Sequence, residues 1–437
     1  MTNVVNSESK KSGWKTAVNI LGPIIVTLLT LVLVIEVGFR LFYQLIPIEV
    51  CAADPIIGTY TCQPYFEYDK PVRIGYRYTP NFMLEGRWNP ANPYLANSDE
   101  STAPSDRDDS FDYRFVTDDH GFPNEPAAWQ AQYDIVIAGD SFTIRTAPTT
   151  WIERLEQHAG QEILTLGAPS WSTLNEAEAI RQFGLDKQPR YVLLMFFEGN
   201  DILNTQQYLE RRESGLDWRE YDMQNVSFFR RLLTPHVVAY FWQQLFPPEP
   251  VAAPDYRYPV AASTEAGLIE TVFKDVHLLP LSADYDTLAA SDEFTAVKST
   301  LITLNEEVAA QGAQLVVVYI PSKEHVLWSR IWDPEDVNNV LERTVTVTLS
   351  EGDSGFLQWE PNYLSFDKFG ETTQAQEQLL ADFTTENEIH FLDLSPIFWE
   401  ESIKQGELFH YGDPHWNQAG NDLAADTIWK FLQALEE

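Results

Sequence analysis

A serine hydroxyl becomes a nucleophile only when a base takes its proton. An imidazole serves as that base when a carboxylate fixes its tautomer and stabilises the imidazolium. The chain holds these groups far apart: Ser141 in "YDIVIAGDSFTIRT", and Asp413 with His415 in "YGDPHWNQAG", just before the last helical pattern. On its own fragment Ser141 reads better as a helix cap, because a serine after Gly-Asp at a strand-to-helix junction satisfies free backbone N–H groups. Residues elsewhere favour the nucleophile. Acyl transfer needs donors aimed at a developing oxyanion, and the Ser141 amide at a helix start, the Gly167 amide and the Asn200 side chain supply them, each after its own apolar run.

Those runs are the elements that must position the chemistry. "DIVIAG", "EILTLG", "YVLLMFF", "LVVVYI" and "HFLDL" are β-branched and aromatic with few alternating polar positions, as expected of strands buried on both faces of a parallel sheet. Helical patterns such as "TTWIERLEQ", "STLNEAEAIRQF" and "NQAGNDLAADTIWKFLQAL" separate them, so the expected fold is a doubly wound α/β domain over 131–437. In such sheets ligands sit beyond the carboxyl ends of the strands, where Gly139-Asp140-Ser141, Gly167, Asn200 and Pro321-Ser322-Lys323 all fall. Lys323 and Trp416 are therefore candidates for the substrate cleft, with His325 near the first. Two inserts interrupt the pattern, at about 203–292 and 326–372; the first contains "VSFFRRLLTPHVVAYFWQQLF", whose apolar residues suit packing or a second contact with a membrane surface. A second Gly-Asp-Ser at 352–354 reads as a turn, since no helical pattern follows it.

From Thr16 to Ile35 the chain carries no charge for 20 residues, enough at about 1.5 Å each to cross a hydrocarbon core of about 30 Å. We read a cytoplasmic tail over 1–15, an uncleaved anchor over 16–38 and an extracytoplasmic stalk or leader region with short strands over 39–130. Lys10, Lys11 and Lys15 before the span, against Arg40 close behind it, set that orientation. Cys51 and Cys62, the chain's two cysteines, are a plausible disulfide on the outer side, and no neighbouring histidine completes a metal set. A formal charge of −36 disfavours nucleic acid as a partner. No Walker loop and no G-x-G-x-x-G follows any strand, and the chemistry outlined needs neither cofactor nor metal.

The four strand-end blocks, "GDSFT", "LGAPSWST", "FFEGNDI" and "GDPHWN", resemble in content and order those of the SGNH (GDSL-type) hydrolase family. The spacing Asp-x-His-Trp looks like the alginate O-acetyltransferase branch, although there the pair precedes the serine, so the order here sides with the hydrolases. The resemblance implies a three-layer flavodoxin-like domain with Ser141, His415 and Asp413 as triad and Ser141, Gly167 and Asn200 as oxyanion hole. It also implies an ester hydrolase acting on O-acyl groups, especially O-acetyl, of cell-surface or exported carbohydrate. Two alternatives stay open: a polysaccharide O-acetyltransferase using the same triad, with a membrane partner delivering the acyl donor, and a catalytically silent polysaccharide-binding or assembly protein.

Overall fold

The computed structural model describes residues 8–42, 50, 66–88, 111–126, 129–246, 257–265, 267–331 and 366–437. The anticipated Cys51–Cys62 pair and the Gly352-Asp353-Ser354 turn lie outside the described residues. The chain divides into two compact units, Tyr65–Tyr221 with Ala252–Glu437, and Met1–Pro64 with Asp222–Val251.

The first unit is built on five parallel strands: β1 (Ile135–Gly139), β2 (Leu164–Gly167), β3 (Tyr191–Phe197), β4 (Gln314–Ile320) and β5 (His390–Asp393). They lie in the order β2-β1-β3-β4-β5, the flavodoxin-like winding. Strand side chains alternate between faces. Val136, Ala138, Val192, Leu194 and Val317 enter one apolar cluster with α2 (Thr173–Ala179), α3 (Asp201–Ser214), α4 (Asp292–Ala310) and α5 (Ala375–Glu386). Ile135, Ile137, Leu193, Met195 and Val318 enter the other with α1 (Trp151–Ala159), α6 (Ser395–Gln405) and α7 (Gln418–Ala434). Both faces being covered explains why β1 and β3 read as unbroken apolar runs.

Local chemistry sets the helix ends that frame the site. Helix α1 starts at a Thr150–Glu153 capping box and stops at Gly160, whose φ of 67° places it in the left-handed region. Its first amide, Trp151 N, also donates to Asn421 Oδ1 at 2.9 Å, tying α1 to α7.

Three stretches outside the sheet pattern contribute to the core. The region read as a stalk with short strands pairs Phe66–Tyr68 with Tyr76–Tyr78 and Met83–Trp88 with Phe111–Val116; Tyr76, Tyr78 and Phe115 of these strands, and Phe122 after them, are buried in the first cluster. Their aromatic side chains complete the core: the Tyr76 hydroxyl donates to Pro169 O, and Trp171 Nε1 donates to Tyr76 O at 2.9 Å. Within the insert at 203–292, residues up to Tyr221 extend the α3 region, and the hairpin Arg257–Thr264 with Gly267–Lys274 adds Val260, Ala262 and Phe273 to the second cluster. At 326–331 the second insert begins as core, with Val326, Leu327, Trp328 and Ile331 buried.

In the other unit a helix runs Glu8–Leu41, and its stretch Leu21–Leu41 is long and apolar enough to cross a membrane, with mean hydropathy 2.3. A second helix, Leu233–Leu245, contacts its C-terminal turns: Glu36 accepts from Leu233 N at 3.0 Å, Thr234 N at 2.9 Å and Thr234 Oγ1 at 2.9 Å.

Candidate active site

Strand β1 delivers Ser141 onto a turn rather than a long helix. Residues Ser141–Thr143 form one 3-10 turn, capped by the Asp140 carboxylate accepting from Phe142 N at 3.0 Å and closed by Thr143 Oγ1 donating to Asp140 O at 2.7 Å. The helix expected from the sequence is reduced to these three residues, because Ile144 returns to extended backbone. Ser141 therefore gains no long-helix dipole.

The turn seats against β2. Gly139 and Gly167 are paired across β1 and β2, and a Cβ at Gly167 would lie 2.0 Å from Thr143 Oγ1 and 2.8 Å from Gly139 O. Glycine is required there by the close approach of the serine turn. The structure thus brings the Gly167 strand end beside that of Ser141.

His415 and Asp413 arrive from the loop before α7. His415 Nε2 lies 2.7 Å from Ser141 Oγ, and His415 Nδ1 lies 2.5 Å from Asp413 Oδ1, which also accepts the His415 amide at 3.0 Å. All three side chains are nearly enclosed, at 8%, 7% and 1% exposure for Ser141, His415 and Asp413. Asp413 is not the cap of α7: Asn417 holds that position, accepting from Gly420 N at 3.1 Å. Its carboxylate is left to the imidazole.

Lys323 and Trp416, the cleft candidates, are both buried. The Lys323 ammonium is buried under the triad loop, donating to His410 O at 3.0 Å, Tyr411 O at 2.9 Å and Asp413 O at 3.2 Å. Those carbonyls offset the cost of taking the ammonium out of water. Trp416 is 1% exposed and packs edge-on to Phe142 and against Phe398, as part of the second core cluster. Further closure comes from His410 N donating to His415 O at 3.0 Å and Asn417 N donating to Leu408 O at 3.0 Å.

Asn200 stands at the N-cap position of α3 without making the cap bond. Its Nδ2 donates instead to Asp140 Oδ2 at 3.1 Å, and among the described residues its buried Oδ1 has no partner. The Nδ2 group carries a second N–H beyond the one given to Asp140. Asp140 is fully buried, and desolvation raises its carboxyl despite the Phe142 amide and the His415 and Asn200 side chains.

Several polar groups here escaped the sequence reading. Glu176 and Asp201 lie fully buried near Asp140, and both carboxyls are pushed well up, first by burial and then by neighbouring carboxylates. Asp201 accepts from Phe197 N at 2.5 Å and Thr173 N at 3.0 Å, stapling the end of β3 to the start of α2. Glu198 is also spent internally, accepting from the Tyr319 hydroxyl, from Ser322 N at 2.6 Å and facing His325 Nδ1 at 3.0 Å. The position of Asp201 beside Asn200 was the available signal for the first group; Glu176, in a charged helix pattern, offered none.

No family model matches the chain, and no curated protein matches it. Among solved structures it is similar to the acetyl xylan esterase AlAXEase, at 10% identity over 68% of this chain and 99% of that one, TM-score 0.32. It is also similar to a lipase/acylhydrolase from Enterococcus faecalis, at 9% identity over 69% and 96%, TM-score 0.31. A GDSL-like lipase from Bacteroides thetaiotaomicron gives 8% identity over 71% and 94%, TM-score 0.32. At such scores the reading of the site rests on its own geometry.

Proposed function

We propose that the protein is a serine-dependent ester hydrolase that removes O-acyl groups, O-acetyl in particular, from cell-surface or exported carbohydrate. The observation that carries the esterase reading is the continuous chain Ser141 Oγ, His415 Nε2, His415 Nδ1 and Asp413, with contacts of 2.7 and 2.5 Å. Ser141 Oγ attacks the ester carbonyl as His415 takes its proton, and Asp413 stabilises the imidazolium. The tetrahedral oxyanion is received by Asn200 Nδ2 and the Ser141 and Gly167 amides. His415 then protonates the departing sugar alkoxide, leaving an acyl-enzyme. Water, deprotonated by the same imidazole, attacks the acyl carbonyl, and the collapsing intermediate returns the proton to Ser141 as the acid leaves.

The carbohydrate half of this reading is supported by the four ordered blocks and by the apolar helix Leu21–Leu41, read as an uncleaved anchor with the catalytic unit outside the cytoplasm. The test is fluorophosphonate labelling of the full chain in detergent, with release of acetate from O-acetylated oligosaccharide measured in parallel. Labelling lost in Ser141→Ala and His415→Ala but kept in Ser354→Ala is expected, with acetate appearing in solution. A folded wild type that resists the probe would overturn the nucleophile. Acetyl arriving on an added sugar acceptor instead of in water would make the enzyme a transferase.

A further inference from the structure

The helix Leu233–Leu245 is apolar around most of its circumference, yet of its side chains only Leu233, Thr234 and Val237 are buried. Phe241, Trp242, Leu245 and the following Phe246 stand 53–73% exposed, and Phe228 and Phe229 just before the helix stand 69% and 75% exposed. Such a helix in a water-soluble protein lays its apolar stripe on a core; this one does so only in its first two turns.

What those two turns rest on identifies the occupant of the rest. Glu36 lies inside the apolar stretch Leu21–Leu41, where an unpaired carboxylate is costly. It is 5% exposed and receives the Leu233 and Thr234 amides, the Thr234 hydroxyl and Arg40 Nε, while Arg40 Nη2 donates to Arg231 O at 2.9 Å. The start of the second helix therefore sits at the C-terminal end of the candidate span, and both helices carry exposed apolar side chains. At about 1.5 Å per residue the second helix is roughly 20 Å long, short of a hydrocarbon core of about 30 Å. Tryptophan settles at headgroup depth, and phenylalanine and leucine form the buried apolar face of a helix lying in the interface.

We propose that residues 228–246 form a second membrane element, a monotopic helix seated in the bilayer interface beside the anchor and locked to it through Glu36. The inference rests on the anchor reading. It also explains why the anchor would be retained, since its removal strips the Leu233 and Thr234 amides of their acceptor.

The experiment reconstitutes the full chain in vesicles of phosphatidylcholine and phosphatidylglycerol, with phosphatidylcholine brominated near the headgroup as tryptophan quencher. Trp14→Phe is the reference, and Trp242→Phe is added to it, a replacement that keeps an aromatic ring. The lipid-quenched part of the emission is expected to fall several-fold on losing Trp242, with the acrylamide-quenched part unchanged. Loss confined to the acrylamide-quenched part would place Trp242 in water and overturn the proposal. Shielding of Trp242 from both quenchers would assign the surface to protein, either a second copy or another chain, and would equally overturn it. Alkaline extraction with N-terminal sequencing reads the anchor separately: a shortened, extractable protein refutes the anchor, whereas an intact, membrane-retained chain with Trp242 in water refutes the second element alone.

Discussion

Replacing Lys323 by methionine separates a clamp from a substrate contact. The ammonium is 2% exposed and serves three carbonyls, of His410, Tyr411 and Asp413, at 2.9–3.2 Å. Desolvating it costs several kcal/mol, which those carbonyls offset. Methionine fills a similar volume and donates nothing. Three buried carbonyls lose their donor, at about 1–3 kcal/mol for each left unsatisfied, while the desolvation cost of the ammonium is recovered. The balance is a net destabilisation of about 2–4 kcal/mol, or roughly 4–8 °C in Tm at ~2 °C per kcal/mol for a domain of this size. Freed of the clamp, the loop carrying Asp413 and His415 shifts, and a displacement of about 1 Å costs on the order of 10²-fold in turnover. The assays are thermal unfolding of the full chain in detergent and hydrolysis of a p-nitrophenyl ester. A fall in both Tm and kcat with KM nearly unchanged is expected. An unaltered Tm with only KM raised would refute the clamp and return Lys323 to the substrate cleft.

Two further outcomes follow from the site. Asp413→Asn keeps the shape of the acid but cannot accept from both the His415 ring and its amide as a charged group, so kcat on the same ester should fall about 10⁴-fold, or ~5 kcal/mol. A loss below ten-fold with folded protein would show that another group orients His415. Glu377 is pushed up to about 7 from 4.5, first by burial and then by Asp393. Between those pH values the native state holds a proton that the unfolded chain has released, so stability falls as pH rises through the window and levels above it. The fall is at most about 3 kcal/mol, and less in practice because the side chain is 24% exposed. Urea midpoints at pH values spanning the window should show a flatter slope in Glu377→Gln; an unchanged slope would locate the titration elsewhere.

The amino-acid sequence by itself determined the five strands and the order of the chemistry along them. A strand covered on both faces must be apolar at successive positions, so "DIVIAG" and "YVLLMFF" announce themselves without tertiary information. Ligands of such sheets sit beyond the strand ends, which made Ser141, Gly167 and Asn200 legible as candidates. What only the tertiary structure decided is where each side chain points. Lys323 and Trp416 have residue types suited to a cleft, yet one is covered by the 410–413 loop and the other by Phe142 and Phe398. Pattern along the chain does not encode which loop folds over a strand end. For the same reason the segment before the sheet, read as a stalk with short strands, did not show that its rings complete a core face, and the helical pattern around Glu176 did not show that its carboxyl is buried near Asp140 and Asp201. Burial is set by partners distant in sequence, and those partners exist only once the sheet has closed.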